Sequence, residues 1–388
     1  MRIGIINIGK LVSGNIKKPL LDADAILIEN GVIAEVGKER EISTEKADMI
    51  IDAKGMVLTP GLIDSHVHVA IGDFTPRQLT LGFIESAMHG GVTSMISAGE
   101  VHVPGRPVDP AGVKALAILA AKSYSRFRPG GVKVHGGGLI LEPGLTEQDF
   151  KEMAREGVRF IGEIGLGKVS IPDEAAEMVR WARKYGIKSM MHVGGTSLPE
   201  VPVITADDVI KVNPDVAAHI NGGPTSPSLE DVKKLITQSK MGLELVQCGN
   251  LKTMINACKI ARDEDALYRI VLGSDAPSGT GVIPLGILRS ISQIASLAEV
   301  PAEVAIAMAT GNTARIYGLN TGIIEEGREA DIVIMDKPIG SVGKDALEAL
   351  CVGDLPGIAM VMIDGEVRTF KSRNTPPPTK TVSVERRA

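Results

Sequence analysis

The sequence is poor in aromatic residues, with six Phe, four Tyr and one Trp among 388 positions. That is too few for a platform on which nucleic-acid bases could stack. It also lacks an excess of positive charge: 42 Lys and Arg face 47 Asp and Glu, for a net charge of −5. The field that draws a protein to phosphates is therefore missing, and nucleic acid is a poor candidate partner. No uncharged apolar run reaches the ~18 residues that a membrane-spanning helix requires. Residues 1–14 lack the basic start, apolar run and cleavage site of a secretory signal. The three cysteines, Cys248, Cys258 and Cys351, are odd in number and widely spaced. They fit reduced thiols in a cytoplasmic protein better than a disulfide framework. Cys248, with no basic neighbour in sequence, reads as a buried hydrophobe.

What the chain does have is apolar residues for a large core (44%) and 44 glycines, many placed just after apolar runs. Tight strand-to-helix turns favour a residue without a side chain at such places. The first ~58 residues read as short strands with turns; 25–29 and 32–36 flank Asn30-Gly31, a strong hairpin turn. Segments 331–335, 360–363 and 366–369 repeat that style near the other end. Each piece alone has too little apolar area to bury, so residues 1–58 and 321–370 are expected to form one small β-sandwich. The Pro-rich, charged tail, 371–388, is expected to be a mobile end or an arm on a neighbouring subunit.

Between these pieces, apolar runs begin near Leu62, Thr93, Val132, Val158, Lys188, Val216, Gly242 and Ile270, alternating with amphipathic segments. Thr146-x-x-Asp149, Thr205-x-x-Asp208 and Ser228-x-x-Asp231 match helix capping boxes. Segment 172–185 opens with Pro, Asp and Glu and closes with Arg183, Lys184 and then Gly186, as a helix dipole and a glycine stop favour. Eight strand–helix units in 59–320 imply an α/β fold, a (β/α)8 TIM-type barrel.

Seven histidines are present, and several fall at the carboxyl ends of these runs. His66 and His68 close the first run; two residues apart on a strand, both rings face one side. His192 closes the fifth run, His219 the sixth, Asp275 the eighth and Glu163 the fourth. Barrel active sites form at that rim. Four imidazoles and two carboxylates exceed the needs of one ion, so two divalent transition-metal ions are expected, with Glu163 bridging. One would take His66, His68, Asp275 and Glu163, the other Glu163, His192 and His219. Two cations ~3.5–4 Å apart would hold a water between them and make it a hydroxide at neutral pH. These ligand types suit zinc, iron(II), cobalt or manganese. Asp275 is the expected catalytic base and then acid.

Other features compete with this reading. Residues 162–168 fit the G-x-x-x-x-G-K of a phosphate loop, but Val169 occupies the position where Ser or Thr should meet magnesium. The same segment lacks the third glycine of a dinucleotide fingerprint, and its glycines are expected to let the backbone pass close to substrate. His102 and His135 follow the second and third runs; with Lys168 they are candidate substrate contacts. His89 ends a helix and is expected to cap it.

These residues resemble the signatures of the amidohydrolase superfamily across nearly the whole chain. Residues 59–68, TPGLIDSHVH, resemble its first-strand signature. Residues 327–333, GREADIV, resemble its return into the small β-domain, and 90–93, GGVT, the approach to its second strand. The resemblance implies a metal-dependent hydrolase with a barrel and a composite β-sandwich, commonly a dimer or tetramer. Many members bridge their metals with a carboxylated lysine on the fourth strand; this chain offers Glu163 instead, a departure from the dihydroorotase and hydantoinase subgroups. The expected activity is hydrolytic opening of the C–N bond of a small cyclic amide. The alternatives are a deaminase, a deacetylase of amino sugars, or a binding protein on the same scaffold that has lost catalysis.

Overall fold

The computed structural model describes residues 1–71, 82–169, 172–195, 202–223, 225–277 and 283–386. Its centre is a ring of eight parallel strands: Leu62–Val67, Val92–Ser97, Lys133–His135, Phe160–Ile164, Lys188–Met191, Val216–Ala217, Gly242–Val246 and Ile270–Gly273. Isolated parallel bridges, Leu139 to Ile161 and Val67 to Ala276, join the two arcs of the ring. A helix follows each strand, from Phe83–Met88 after the first to Gly286–Leu297 after the eighth. This is the expected (β/α)8 barrel. Its helices begin where their caps place them: Thr205 Oγ1 accepts from the Asp208 N–H while Asp208 accepts from the Thr205 N–H. Ser228 likewise accepts from the Asp231 N–H at 3.0 Å.

Strands from both chain ends build two further sheets. One orders Ser383–Arg386, Met49–Asp52, Arg2–Ile6, Ala25–Glu29 and Val32–Gly37; the other orders Glu366–Thr369, Gly357–Ile363, Ile332–Asp336, Val57–Pro60, Lys10–Val12 and Leu20–Leu21. Alternation explains how they pack. Ile3, Ile5, Ile26 and Ile28 meet Leu58, Ile332, Ile334, Met360 and Met362 in a core between the sheets. The intervening Val57, Val333, Met335, Val361 and Ile363 point the other way, into the large core that surrounds the barrel. The second sheet is thus buried on both faces and fixes the sandwich to the barrel. Lys133, on the third barrel strand, adds a polar link by binding Glu329, Asp331 and Asp364.

The tail differs from expectation. Ser372 Oγ donates to the His89 carbonyl and Asn374 Nδ2 to the Ser86 carbonyl. Residues Ser383–Arg386 then pair antiparallel with Met49–Asp52. Proline-rich sequence removes donors only locally; past it, the free edge of Met49–Asp52 offers hydrogen bonds and Val382 packs on the sandwich core. The tail therefore lies on its own chain. His89 is the C-terminal cap residue of Phe83–Met88 as expected, and its ring accepts from the Arg373 N–H at 3.4 Å.

Candidate metal centre

The six ligand-type residues converge at the carboxyl mouth of the barrel. His66 lies within the first strand and His68 just beyond it. Their Nε2 atoms are 3.3 Å apart, as same-face spacing requires. Glu163, on the fourth strand, divides its carboxylate between two histidine pairs. Oε2 is 3.6 Å from Nε2 of both His66 and His68. Oε1 is 2.6 Å from His192 Nδ1 and 2.5 Å from His219 Nε2. Asp275 Oδ1 joins the first pair, 3.0 Å from His68 Nε2 and 3.6 Å from His66 Nε2.

Two of these residues hold uncommon backbone. His219 and Asp275, each two residues past a strand end, have φ of +32° and +56°, where non-glycine residues are rare and surrounding structure must hold them. The Asp275 N–H donates to the His66 carbonyl at 2.9 Å, and the His219 N–H to Glu244 Oε2 at 3.3 Å.

All six residues are buried, so their charges are set by one another. Burial opposes the charge on Glu163, but His219, His192 and His66 outweigh it and hold the carboxyl well below its ordinary range. Asp275 follows the same balance: burial raises it, while His68, His66 and His219 draw it below the usual carboxylate range. For His66, burial disfavours the cation, yet Glu244, Glu163 and Asp275 raise it well above an ordinary imidazole. A buried site rich in acceptors and imidazoles is one that a cation would complete. The donor atoms of His66, His68 and Asp275 all lie within 4.8 Å of one another, as do those of His66, Glu163 and His219. The set fits divalent transition cations on its chemistry, N and O donors without a competing Lys or Arg among them.

Two carboxylates beneath the site carry weight that the sequence reading left unassigned. Asp64 Oδ1 accepts from the N–H groups of His66 (3.2 Å) and Ser274 (2.8 Å), tying the first strand to the eighth. Burial pushes its carboxyl up to about 7, against those hydrogen bonds. Glu244, on the seventh strand and fully buried, lies 2.7 Å from His66 Nδ1. Both strands are enclosed on two faces, where an acid must be paired; that was the available signal.

The candidate substrate contacts separate. His102 is exposed, its ring 5.2 Å from that of His68 and edge-on. Lys168 is exposed on the loop after the fourth strand, its N–H donating to Glu142. His135 instead meets Phe160 edge-on at 6.2 Å. Burial, with Lys133 and Arg128 nearby, pushes its ring down to about 4. Two glycines of 162–167 are needed for packing: a Cβ at Gly162 would lie 2.3 Å from the Ala98 carbonyl oxygen, and at Gly167 2.1 Å from that of Leu141. Cys248 is also reassigned. It is half-buried, with Sγ 3.0 Å from Asp275 Oδ2.

The model of the amidohydrolase family matches residues 57–368. The chain belongs to this family. It is 55% identical over 380 residues to enamidase of Eubacterium barkeri, covering 98% of both chains. A crystal structure of enamidase superposes with a TM-score of 0.97, also at 55% identity, covering 99% of this chain and 100% of that one. Imidazolonepropionase of Geobacillus kaustophilus is 24% identical over 383 residues, 82% of this chain and 85% of its own. Among the described residues of this amidohydrolase, no helix is long and apolar enough to cross a membrane.

Proposed function

We propose that this amidohydrolase opens the ring amide of 6-oxo-1,4,5,6-tetrahydronicotinate, releasing 2-formylglutarate and ammonia, with two divalent cations, zinc or iron foremost, held by His66, His68, Asp275 and Glu163 on one side and Glu163, His192 and His219 on the other. The observation that carries the two-cation reading is the division of Glu163, one oxygen toward each histidine pair. The substrate reading rests on the likeness to enamidase.

When bound, such cations supply Lewis acidity, lowering the pKa of water and polarising a carbonyl. The chain's own residues do the rest. Asp275, ionised and aimed into the centre, accepts a proton from the water that attacks the ring carbonyl. It returns that proton to the ring nitrogen as the C–N bond breaks. The product of this step is a carboxylate and an enamine. The enamine tautomerises to an imine, and a second water displaces ammonia to leave the aldehyde. His102 and Lys168, both exposed, are the side chains proposed to bind the substrate carboxylate from outside the buried centre.

The test combines metal analysis with product analysis. Purified protein is expected to hold two transition-metal equivalents and to yield ammonia and an aldehyde from this lactam. Full activity with clearly fewer than two equivalents rejects the two-cation reading. Ammonia without an aldehyde, or acetate from an amino sugar, would favour a deaminase or a deacetylase instead.

A further inference from the structure

We propose that Glu244 is the positioning residue that sets the tautomer and aim of His66, and so selectively maintains the first of the two cation sites. The inference rests on the two-cation reading above.

Glu244 stands in the seventh barrel strand between Leu243 and Leu245, which face the surrounding core. Its side chain therefore points inside the ring, where it is fully buried. Three donors meet it there. Ser65 Oγ is 2.5 Å from Oε1, His66 Nδ1 is 2.7 Å from Oε2, and the His219 N–H reaches Oε2 at 3.3 Å. Oε1 faces the Ser65 hydroxyl and Oε2 already accepts the His219 N–H, so His66 Nδ1 is the donor toward Oε2. That leaves Nε2, which faces Glu163, His68 and Asp275, as the nitrogen that would ligate a cation. A carboxylate behind a ligating imidazole fixes the ring and raises its basicity.

The second histidine pair has a different support. His192 and His219 each direct a ring nitrogen onto Glu163, and Glu244 reaches that pair only through one long backbone contact. Loss of Glu244 should therefore be felt unequally: strongly by the set containing His66, weakly by the set containing His192.

Equilibrium dialysis of metal-free protein against buffered free zinc tests this. Wild type is expected to bind two equivalents; binding of fewer overturns the two-cation reading itself, and this inference with it. Glu244→Leu removes every acceptor, and its weaker equivalent should lose about 10- to 100-fold in affinity while the other changes little. Glu244→Gln should restore most of that loss, because its carbonyl can face His66 while its NH2 donates to the Ser65 hydroxyl. In a His68→Ala background, where the first site is already gone, Glu244→Leu should leave the remaining zinc affinity unchanged. Two wild-type zinc affinities in Glu244→Leu, or an equal loss at both sites, overturn the inference and leave the two-cation reading standing. Should the Leu variant not fold, nitrogen-15 NMR of zinc-loaded wild type decides: the one remaining His66 ring proton is expected on Nδ1, and its presence on Nε2 overturns the proposal.

Discussion

The two histidine pairs around Glu163 reach the same carboxylate by opposite routes. His66 and His68 come from one strand, two residues apart, and His66 is held from below by Asp64 and Glu244. His192 and His219 come from separate strands, both lie past the strand ends, and His219 has left-handed backbone. The first pair is thus organised by local geometry and a buried polar layer. The second depends on the barrel bringing two strand ends together. One carboxylate with two oxygens is what makes them a single centre.

The most severe way to break that comparison is to remove the shared element. Glu163→Ala takes a partner from all four imidazoles, and turnover should fall by at least about 10⁴-fold, with neither zinc equivalent retained at wild-type affinity. Retention of one tight zinc would mean that a pair is self-sufficient. Next in size is Asp275→Asn, which keeps the side chain's volume and loses its basicity. Ammonia release should slow by about 10²- to 10⁴-fold in kcat with little change in KM. Near-wild-type turnover would remove Asp275 from the proton path.

A smaller effect separates the first pair's surroundings from its chemistry. Glu100 is 2% exposed and accepts from the N–H of Ile71, three residues after His68, at 3.1 Å. Burial, only partly offset by that hydrogen bond, pushes its carboxyl up to about 7. The folded state therefore holds this proton more tightly than the unfolded chain. Stability from this group is present below the unfolded pKa near 4.5 and is lost as pH rises through about 7, by roughly 3 kcal/mol in all. Glu100→Gln cannot ionise. Between pH 5 and pH 9, urea unfolding should show the variant gaining about that much relative to wild type. A constant difference across that range would place the Glu100 pKa near its ordinary value.

The same contrast explains what could be read from sequence. The eight strands occur where apolar runs begin, because enclosed parallel strands are continuously apolar and short. His66 and His68 were legible as a pair because strand periodicity fixes their common face. His192, His219 and Asp275 could be placed at strand ends but not aimed. Their directions depend on φ values near +32° and +56° at the latter two, which nothing in an L-residue's identity announces. Glu244 was missed for a related reason. In Leu243-Glu244-Leu245 an alternating acid reads as a solvent-facing residue, whereas in a closed barrel the alternate face is the interior. The tail was misjudged because its prolines suggest a loose end, while the edge that captures it lies more than 300 residues away in sequence.

Cys248 gives the smallest expected effect and the finest test of how Asp275 is held. Its thiol lies 3.0 Å from Asp275 Oδ2, on the side away from the Oδ1 that faces His68. An S–H is a weak donor, so it can bias the carboxylate's rotation without competing with the histidines. Cys248→Ala should lower kcat by about 2- to 10-fold, the equivalent of one modest hydrogen bond. Cys248→Ser, with a better donor at a shorter reach, should recover part of it. Because the residue is half-buried, unfolding free energy should change little. A large loss of stability in the alanine variant would return Cys248 to the packing role that its sequence context suggests. Unchanged kcat in both variants would show that the histidines alone orient Asp275.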